Sequence, residues 1–335
     1  MCNVMTYKKM MKQNLVIFLF STLALSACAK STETSTKAAQ PSAELQQKIQ
    51  KLVEKTQKNM IFVEGGSFMM GDFGHVTRKD KLPITGLYAA MPLHKVTLDS
   101  FSLNAYKTTF DDFDIYTEAT GQKKIAMEEI SKKLRVPNAP AGVSWQQAHD
   151  YCQWLGQQVG IPMTLPTEAQ WEYAARNRGQ YVIYPTDNGE YEPGRNVWSD
   201  EQRDQVSKSY DLDGVPIPIL GKFNPTPLGF YDLATDSYEW MSDWFDPQYY
   251  KHSPEKNPQG PATGTLKSVR STYQVGAAKS LQIGGSVTTI YRSGKEANPQ
   301  FDKDDNLYQI VNPNFSTAVR CASNSPKPFS SNKES

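Results

Sequence analysis

The chain has 335 residues, 36 Lys and Arg against 35 Asp and Glu, a formal charge of +1, and 39% hydrophobic residues. That length, with 11% aromatics, supplies the apolar surface for one large domain or two small ones. The near-neutral balance excludes the basic face of a nucleic-acid binder, and no block of like charge beyond short lysine pairs names a partner.

At the N-terminus Lys8, Lys9 and Lys12 precede the apolar run Leu15 to Phe20, which continues to Leu25-Ser26-Ala27-Cys28. A basic segment, a short apolar run and small residues before a cut site make a secretory signal over 1–27. The run is too short for an ordinary membrane span. The Leu-Ser-Ala-Cys ending resembles the bacterial lipobox; the alternative is an ordinary signal with a chance Cys. Lipidation at Cys28 would anchor the chain to a membrane through buried methylenes. Ala29, in place of the Asp that often retains lipoproteins at the inner membrane, points to the outer membrane facing the periplasm.

Residues 28–44, AKSTETSTKAAQPSAE within them, cannot bury enough apolar surface to fold and read as a flexible tether. Leu45, Ile49, Leu52 and Val53 fall at helical spacing and predict a short amphipathic helix over 45–58, packed on the domain that follows. From 59 to 325 no linker or internal repeat is visible. IFVEGGSFMMG predicts two strands around a Gly-Gly turn, and HKVTLDSFSLNAYKTT predicts further strand. Ser144 is placed to cap a helix with Trp145, Ala148, Tyr151, Cys152 and Leu155 on one face. In TLPTEAQWEYAAR, Thr167 is placed to cap the next, with Glu168 and Gln170 in its first turn and Trp171, Ala174 and Ala175 inward. Asp72–Met91 and Asn298–Asn314 read as surface loops, and 326–335 as a disordered tail. The expected fold class is a mixed α+β domain, rich in irregular segments pinned by turns and buried rings.

Taken in order, these motifs resemble the sulfatase-modifying factor family, named for formylglycine generation. MIFVEGGSFMMG, PLHKVTLDSFSL, PAGVSWQQAHDYCQWLG, TLPTEAQWEYAAR, PTPLGFYDLATDSYEWMSDWF, IYRSG and TAVRCAS are similar to its successive segments, from about Met60 to Ser323. The resemblance implies a formylglycine-generating-enzyme-like fold, low in regular secondary structure and distantly akin to C-type lectin domains.

Family members that generate formylglycine bind copper through a closely spaced cysteine pair, whose soft thiolates suit Cu(I). The pair follows a segment usually written Arg-Gly-Gly-Ser-Trp; here Arg270-Ser271-Thr272-Tyr273-Gln274 stands there, and no cysteine follows before Cys321. The chain's four cysteines are Cys2, Cys28, Cys152 and Cys321. Signal cleavage would remove the first and lipid would occupy the second. By the resemblance, Cys152 and Cys321 form a structural disulfide, as an oxidising periplasm favours. The other reading is two thiolates at a redox or metal site. No copper is expected. His75, His94, His149 and His252 show no ligand spacing, although His149 and Cys152 lie one helical turn apart and could share a metal.

The resemblance also implies structural calcium held by hard oxygen ligands. The first site maps to Asn196, the Val197 carbonyl, Asp213 and the Val215 carbonyl; the second to Asp236 and Glu239. The bland alternative is that Asp213 and Asp236 merely close turns. Several family glycines are replaced by residues with a Cβ, which suggests a filled catalytic groove on a retained scaffold. The expectation is therefore a membrane-anchored, non-catalytic lipoprotein that binds a protein partner, such as an immunity protein or an envelope assembly factor. The alternative is a periplasmic oxidoreductase resembling the family branch that acts in pyoverdine maturation.

Overall fold

The computed structural model describes residues 41–212, 217, 219–234, 237–272, 287–300 and 312–329. The signal, Cys28 and most of the tether lie outside them.

The first helix, α1 (Ala43–Asn59), is opened by Ser42, whose hydroxyl accepts from the Leu45 amide at 3.1 Å. It buries Leu45, Leu52 and Thr56 and packs against α3 (Phe110–Thr120) and α5 (Trp145–Val159). The expected amphipathic helix is thus part of the domain and begins two residues inside the expected tether.

The two predicted strands around Gly65-Gly66 form as β1 (Met60–Val63) and β2 (Gly66–Met70). They do not pair with each other. β2 pairs with β3 (His94–Leu98), and β1 pairs with β4 (Phe101–Asn104), the next stretch of the same predicted strand after a break at Asp99-Ser100. Gly65 is obligatory there: a Cβ on it would lie 2.4 Å from the Leu98 carbonyl oxygen. Between β2 and β3 runs the long 71–93 loop with the short helix α2 (Gly74–Thr77).

α4 (Glu129–Lys133) follows α3, and both α5 and α6 (Glu168–Ala175) open with complete capping boxes, Ser144 with Gln147 and Thr167 with Gln170. α7 (Asp200–Ser209) carries a third, Ser199 with Gln202. The last strands are β5 (Ser237–Trp244), β6 (Lys267–Thr272), β7 (Ser293–Lys295), β8 (Thr317–Ala318) and β9 (Ala322–Ser323).

Three small sheets result: β1-β4-β9, β2-β3, and β7-β6-β5-β8, in which β8 runs parallel to β5 and the other pairs are antiparallel. The strands are short, so side chains rather than long ladders hold the fold. One apolar cluster joins α1, α3 and α5 through Phe113, Tyr151, Trp154 and Trp240. A second packs α6 against the first two sheets through Phe101, Trp171, Tyr173 and Phe230. The mixed helix and strand architecture is the expected α+β class.

Three expected segments differ in part: in the 72–91 loop Asp72, Phe73 and Ala90 are buried, so its two ends belong to the core. Asn312 and Asn314 are buried, with Asn312 Nδ2 donating to the Gly142 carbonyl at 3.0 Å, so the end of the 298–314 segment is core; 301–311 lie outside the described residues. Phe329 packs against the first cluster, so the chain is still held at 326–329.

Candidate functional site

α6 is buried along its whole length, charges included. Glu168 takes a bidentate contact from Arg292 and a 2.9 Å bond from Arg270 Nε, while Arg270 Nη2 reaches Glu172 at 2.9 Å and the Tyr250 hydroxyl at 2.8 Å. Glu172 also accepts from Arg176 at 2.8 Å and from the Gly71 amide at 2.9 Å. Burial alone would raise the Glu168 carboxyl; Arg292 and Arg270 outweigh it and hold the group at about 2. Beside them Asp243 accepts from the Glu168 amide and the Ser242 hydroxyl. Its own burial, then the Glu168 charge, push it up to about 7.

A second buried knot centres on Glu239. Arg320 donates to both its oxygens, at 2.8 and 2.9 Å; Trp171 Nε1 donates at 3.0 Å, and Lys107 Nζ stands 3.8 Å away. Burial opposes this charge, yet Arg320 holds the carboxyl below its ordinary value. Charges this deep persist only because each is paired and hydrogen-bonded.

The cysteines expected to bridge do so: Cys152 on α5 and Cys321 before β9 form a disulfide with Cα atoms 5.5 Å apart. That closes the shared-metal alternative for His149 and Cys152, because the sulfur is spent. His149 instead stacks on Trp145, with ring centroids 5.1 Å apart.

The residues mapped to calcium are only partly brought into view. Asp213, Val215 and Asp236 lie outside the described residues. The Val197 carbonyl accepts the Gly194 amide at 2.8 Å. Asn196 Nδ2 faces four oxygens, from Asp187, Asn188, Glu192 and the Glu190 carbonyl, at 3.0–3.4 Å. Each of these oxygens also has another donor, Arg195, Thr186, the Glu190 amide or Asn188 Nδ2, and Asn196 Oδ1 accepts from the Glu192 amide, so the loop is closed by its own hydrogen bonds, as a turn would be. Glu239 differs: it serves as a counter-ion, and could coordinate an ion only by giving up Arg320. Among the described residues no group of three or more His, Cys, Asp and Glu is placed to hold a metal.

Sequence reasoning did not anticipate the cleft beside the 71–93 loop. Asp72, itself buried, ties that loop by accepting from the amides of Gly74, Ile84 and Thr85, each at 2.9 Å, and from the Thr85 hydroxyl. The loop so held displays Tyr88, Leu82 and Val76 at 84%, 57% and 45% exposure. With Met91, Leu93, Gln248 and Lys251 it encloses a cleft of about 630 Å³. The signal available in the sequence was the length of the insertion together with Tyr88 and Leu82 in it.

Residues 45–324 match the family of the sulfatase-modifying factor enzyme 1-like domain (FGE-sulfatase), and the chain belongs to that family. It is 36% identical to the formylglycine-generating enzyme of Streptomyces coelicolor over 141 residues, 40% of this chain and 41% of that protein. It is 27% identical over 230 residues to the serine/threonine-protein kinase pkn1 of Chlamydia pneumoniae, covering 63% of this chain but only 32% of that protein's length. Among solved structures, PvdO from Pseudomonas aeruginosa superposes with a TM-score of 0.54 at 22% identity, over 79% of this chain and 93% of that one, which shows a shared fold.

Proposed function

We propose that this chain is a lipid-anchored protein of the cell envelope whose sulfatase-modifying factor-like domain binds a protein partner rather than oxidising a substrate. The observation that carries the reading is the cleft beside the 71–93 loop. Its walls are largely apolar, Tyr88, Met91, Pro92 and Leu93, and Tyr88 is 84% exposed, which is the character of a surface that a partner covers. The sulfur chemistry agrees, since after residue 40 the only cysteines are Cys152 and Cys321, and both are consumed in the disulfide. A dithiolate copper site has no ligands left in the domain.

Lipidation at Cys28 and the tether behind it would hold the cleft close to the outer membrane, within the periplasm. Calcium at the Asn196 loop would have a structural role, and to bind there it would have to compete with Arg195 for Asp187 and Glu192. A second reading, a periplasmic oxidoreductase, draws its support from the fold shared with PvdO.

A pull-down from envelope extracts with the lipidated protein tests the proposal, compared with the Tyr88→Ala, Leu93→Ser variant. Capture of one stoichiometric protein that the variant loses supports a binding module. Equal capture by both proteins removes the cleft from the argument. Copper or iron at one equivalent with oxygen uptake would replace the proposal by the oxidoreductase reading.

A further inference from the structure

On β7, at one edge of the four-stranded sheet, Lys295 is half-buried. Its side chain does not turn to solvent. It crosses the face of the sheet to the opposite edge, where Nζ donates to the Thr317 hydroxyl at 2.7 Å and the Ser316 hydroxyl at 2.8 Å. On the way it passes over the Tyr238 ring of β5, 5.2 Å from the centroid. The Tyr238 hydroxyl is in turn bonded to Tyr291, just before β7. The backbone partner of Lys295 on β6 is Lys267, a second cation, whose Nζ lies between the rings of Trp145 and Trp244, 3.8 Å from each centroid. The groups set around the Lys295 amine from β5 and β8 are therefore an aromatic ring and two hydroxyls, while Lys267 on β6 turns its own amine to Trp145, Trp244 and the Ser242 carbonyl.

Burial lowers the Lys295 amine to about 8, and no carboxylate among the described residues offsets it. An ammonium in ordinary protein surroundings is paired or fully hydrated. Here two N–H bonds are fixed on neutral hydroxyls, and the neutral form keeps its lone pair in the remaining direction. The Tyr238 ring lies beside that amine, 5.2 Å from centroid to Nζ.

We propose that Lys295 is a carbonyl-capturing amine, held by Ser316 and Thr317 over Tyr238 so that a small aldehyde condenses with it to a reversible imine. The amine lone pair attacks the carbonyl carbon, forming the C–N bond while the carbonyl π pair moves to oxygen. Protons shift from nitrogen to that oxygen, and loss of water leaves C=N. No oxidant or reductant enters the step, and hydrolysis reverses it. Desolvation is an established route to a nucleophilic lysine. The inference is independent of the cleft and of any partner bound there.

The test uses the purified, disulfide-intact chain with glyoxylate as the probe and cyanoborohydride to trap the imine at pH 7, read by peptide mass spectrometry. Carboxymethylation at Lys295 is expected ~10-fold ahead of the exposed Lys51 and Lys79, since far more of its amine is unprotonated than an ordinary lysine with a pKa of about 10.4. Ser316→Ala with Thr317→Val is expected to bring the rate down toward that of Lys51, with the circular dichroism spectrum kept. A parallel NMR titration of the ¹³C-dimethylated amine is expected to show a midpoint near 8. A midpoint near 10 overturns the proposal. So does a low midpoint with labelling no faster than Lys51, because the claim requires a lone pair that a carbonyl can reach.

Discussion

Glu239→Gln isolates what the buried charges do. The substitution keeps the side chain's shape and its ability to accept from Trp171, but removes the charge that Arg320 meets with two donors. Both side chains are fully buried, so Arg320 cannot recover water. Its carbonyl contacts to Asn104, Ala105 and Tyr231 remain but carry no net charge. Breaking one partner of such a pair costs about 3–5 kcal/mol, roughly a third of a typical domain's stability. The folded state holds the Glu239 carboxyl below its ordinary value, so its contribution is present above the unfolded value and is lost as pH falls through the folded one. Guanidinium unfolding followed by tryptophan fluorescence should therefore show the full loss from pH 5 to 8 and a shrinking loss in stronger acid. Glu239→Leu with Arg320→Met should recover part of the loss, because the Arg320 charge goes with its partner, although Lys107 and Trp171 Nε1 still lose the Glu239 carboxylate. A loss below about 1 kcal/mol for the single variant, or a double variant as unstable as the single, would refute the reasoning.

Three other outcomes follow from the same geometry. Replacing Cys152 and Cys321 by Ala opens a link between residues 169 apart and should cost about 5 kcal/mol by chain entropy, measured as a drop in the denaturation midpoint that reducing agent does not deepen. Asp243→Asn should gain on the parent as pH rises. A carboxyl raised to about 7 contributes stability below its unfolded value, and that contribution is lost through about 7, so the difference grows between roughly pH 4 and 7 and then levels, by on the order of a few kcal/mol. Asp72→Ala should speed hydrogen exchange at the Gly74, Ile84 and Thr85 amides by at least ~10-fold while α5 and α6 keep their protection, because each charge-assisted bond contributes about 1.5–3 kcal/mol.

The parts of this fold legible in the sequence are those written in local chemistry. Ser144 and Thr167 announce their helices because cap and partner sit three residues apart, and the disulfide followed from the family pattern around Cys152 and Cys321. α7 carries the same signature at Ser199 and Gln202, yet its body, DEQRDQVSKS, buries only Arg203 and Ser207, so no apolar stripe marks it. α3 was passed over although Phe110, Phe113, Tyr116 and Thr117 line one face behind the Thr109 cap. β5 has no strand signal in the sequence, because SYEWMSDW mixes acids with aromatics and a strand with buried residues on both faces shows no alternation. Its Glu239 and Asp243 are inside only because Arg320, Trp171 and the α6 amide meet them from elsewhere in the chain. Pairing at a distance leaves no local signature. The same holds for the cleft: the loop's composition was visible, but not that Asp72 would fold it back to display Tyr88.

The central sheet divides this chemistry between its two faces. Residues paired across strands share a face, so Glu239 with Arg270 point toward α6, where Glu168, Glu172 and Arg292 complete a network of paired charges, with Asp243, raised beside Glu168, the exception. Tyr238, Trp240, Trp244, Lys267 and Lys295 share the other face, toward α5. There the cations meet rings, hydroxyls and a carbonyl instead of carboxylates. Burial lowers both lysines; on the α6 face Tyr250 with Glu168 and Glu172 raises Arg270, and Glu168 with Tyr250 raises Arg292, against the pull of burial, whereas burial prevails at Arg176. A face whose charges are mutually satisfied is inert architecture, costly to disturb and of little use to a ligand. A face holding amines short of counter-charge has binding capacity left over. The amine proposed to capture a carbonyl, Lys295, lies on the α5 side of the sheet, and the α6 side holds the frame.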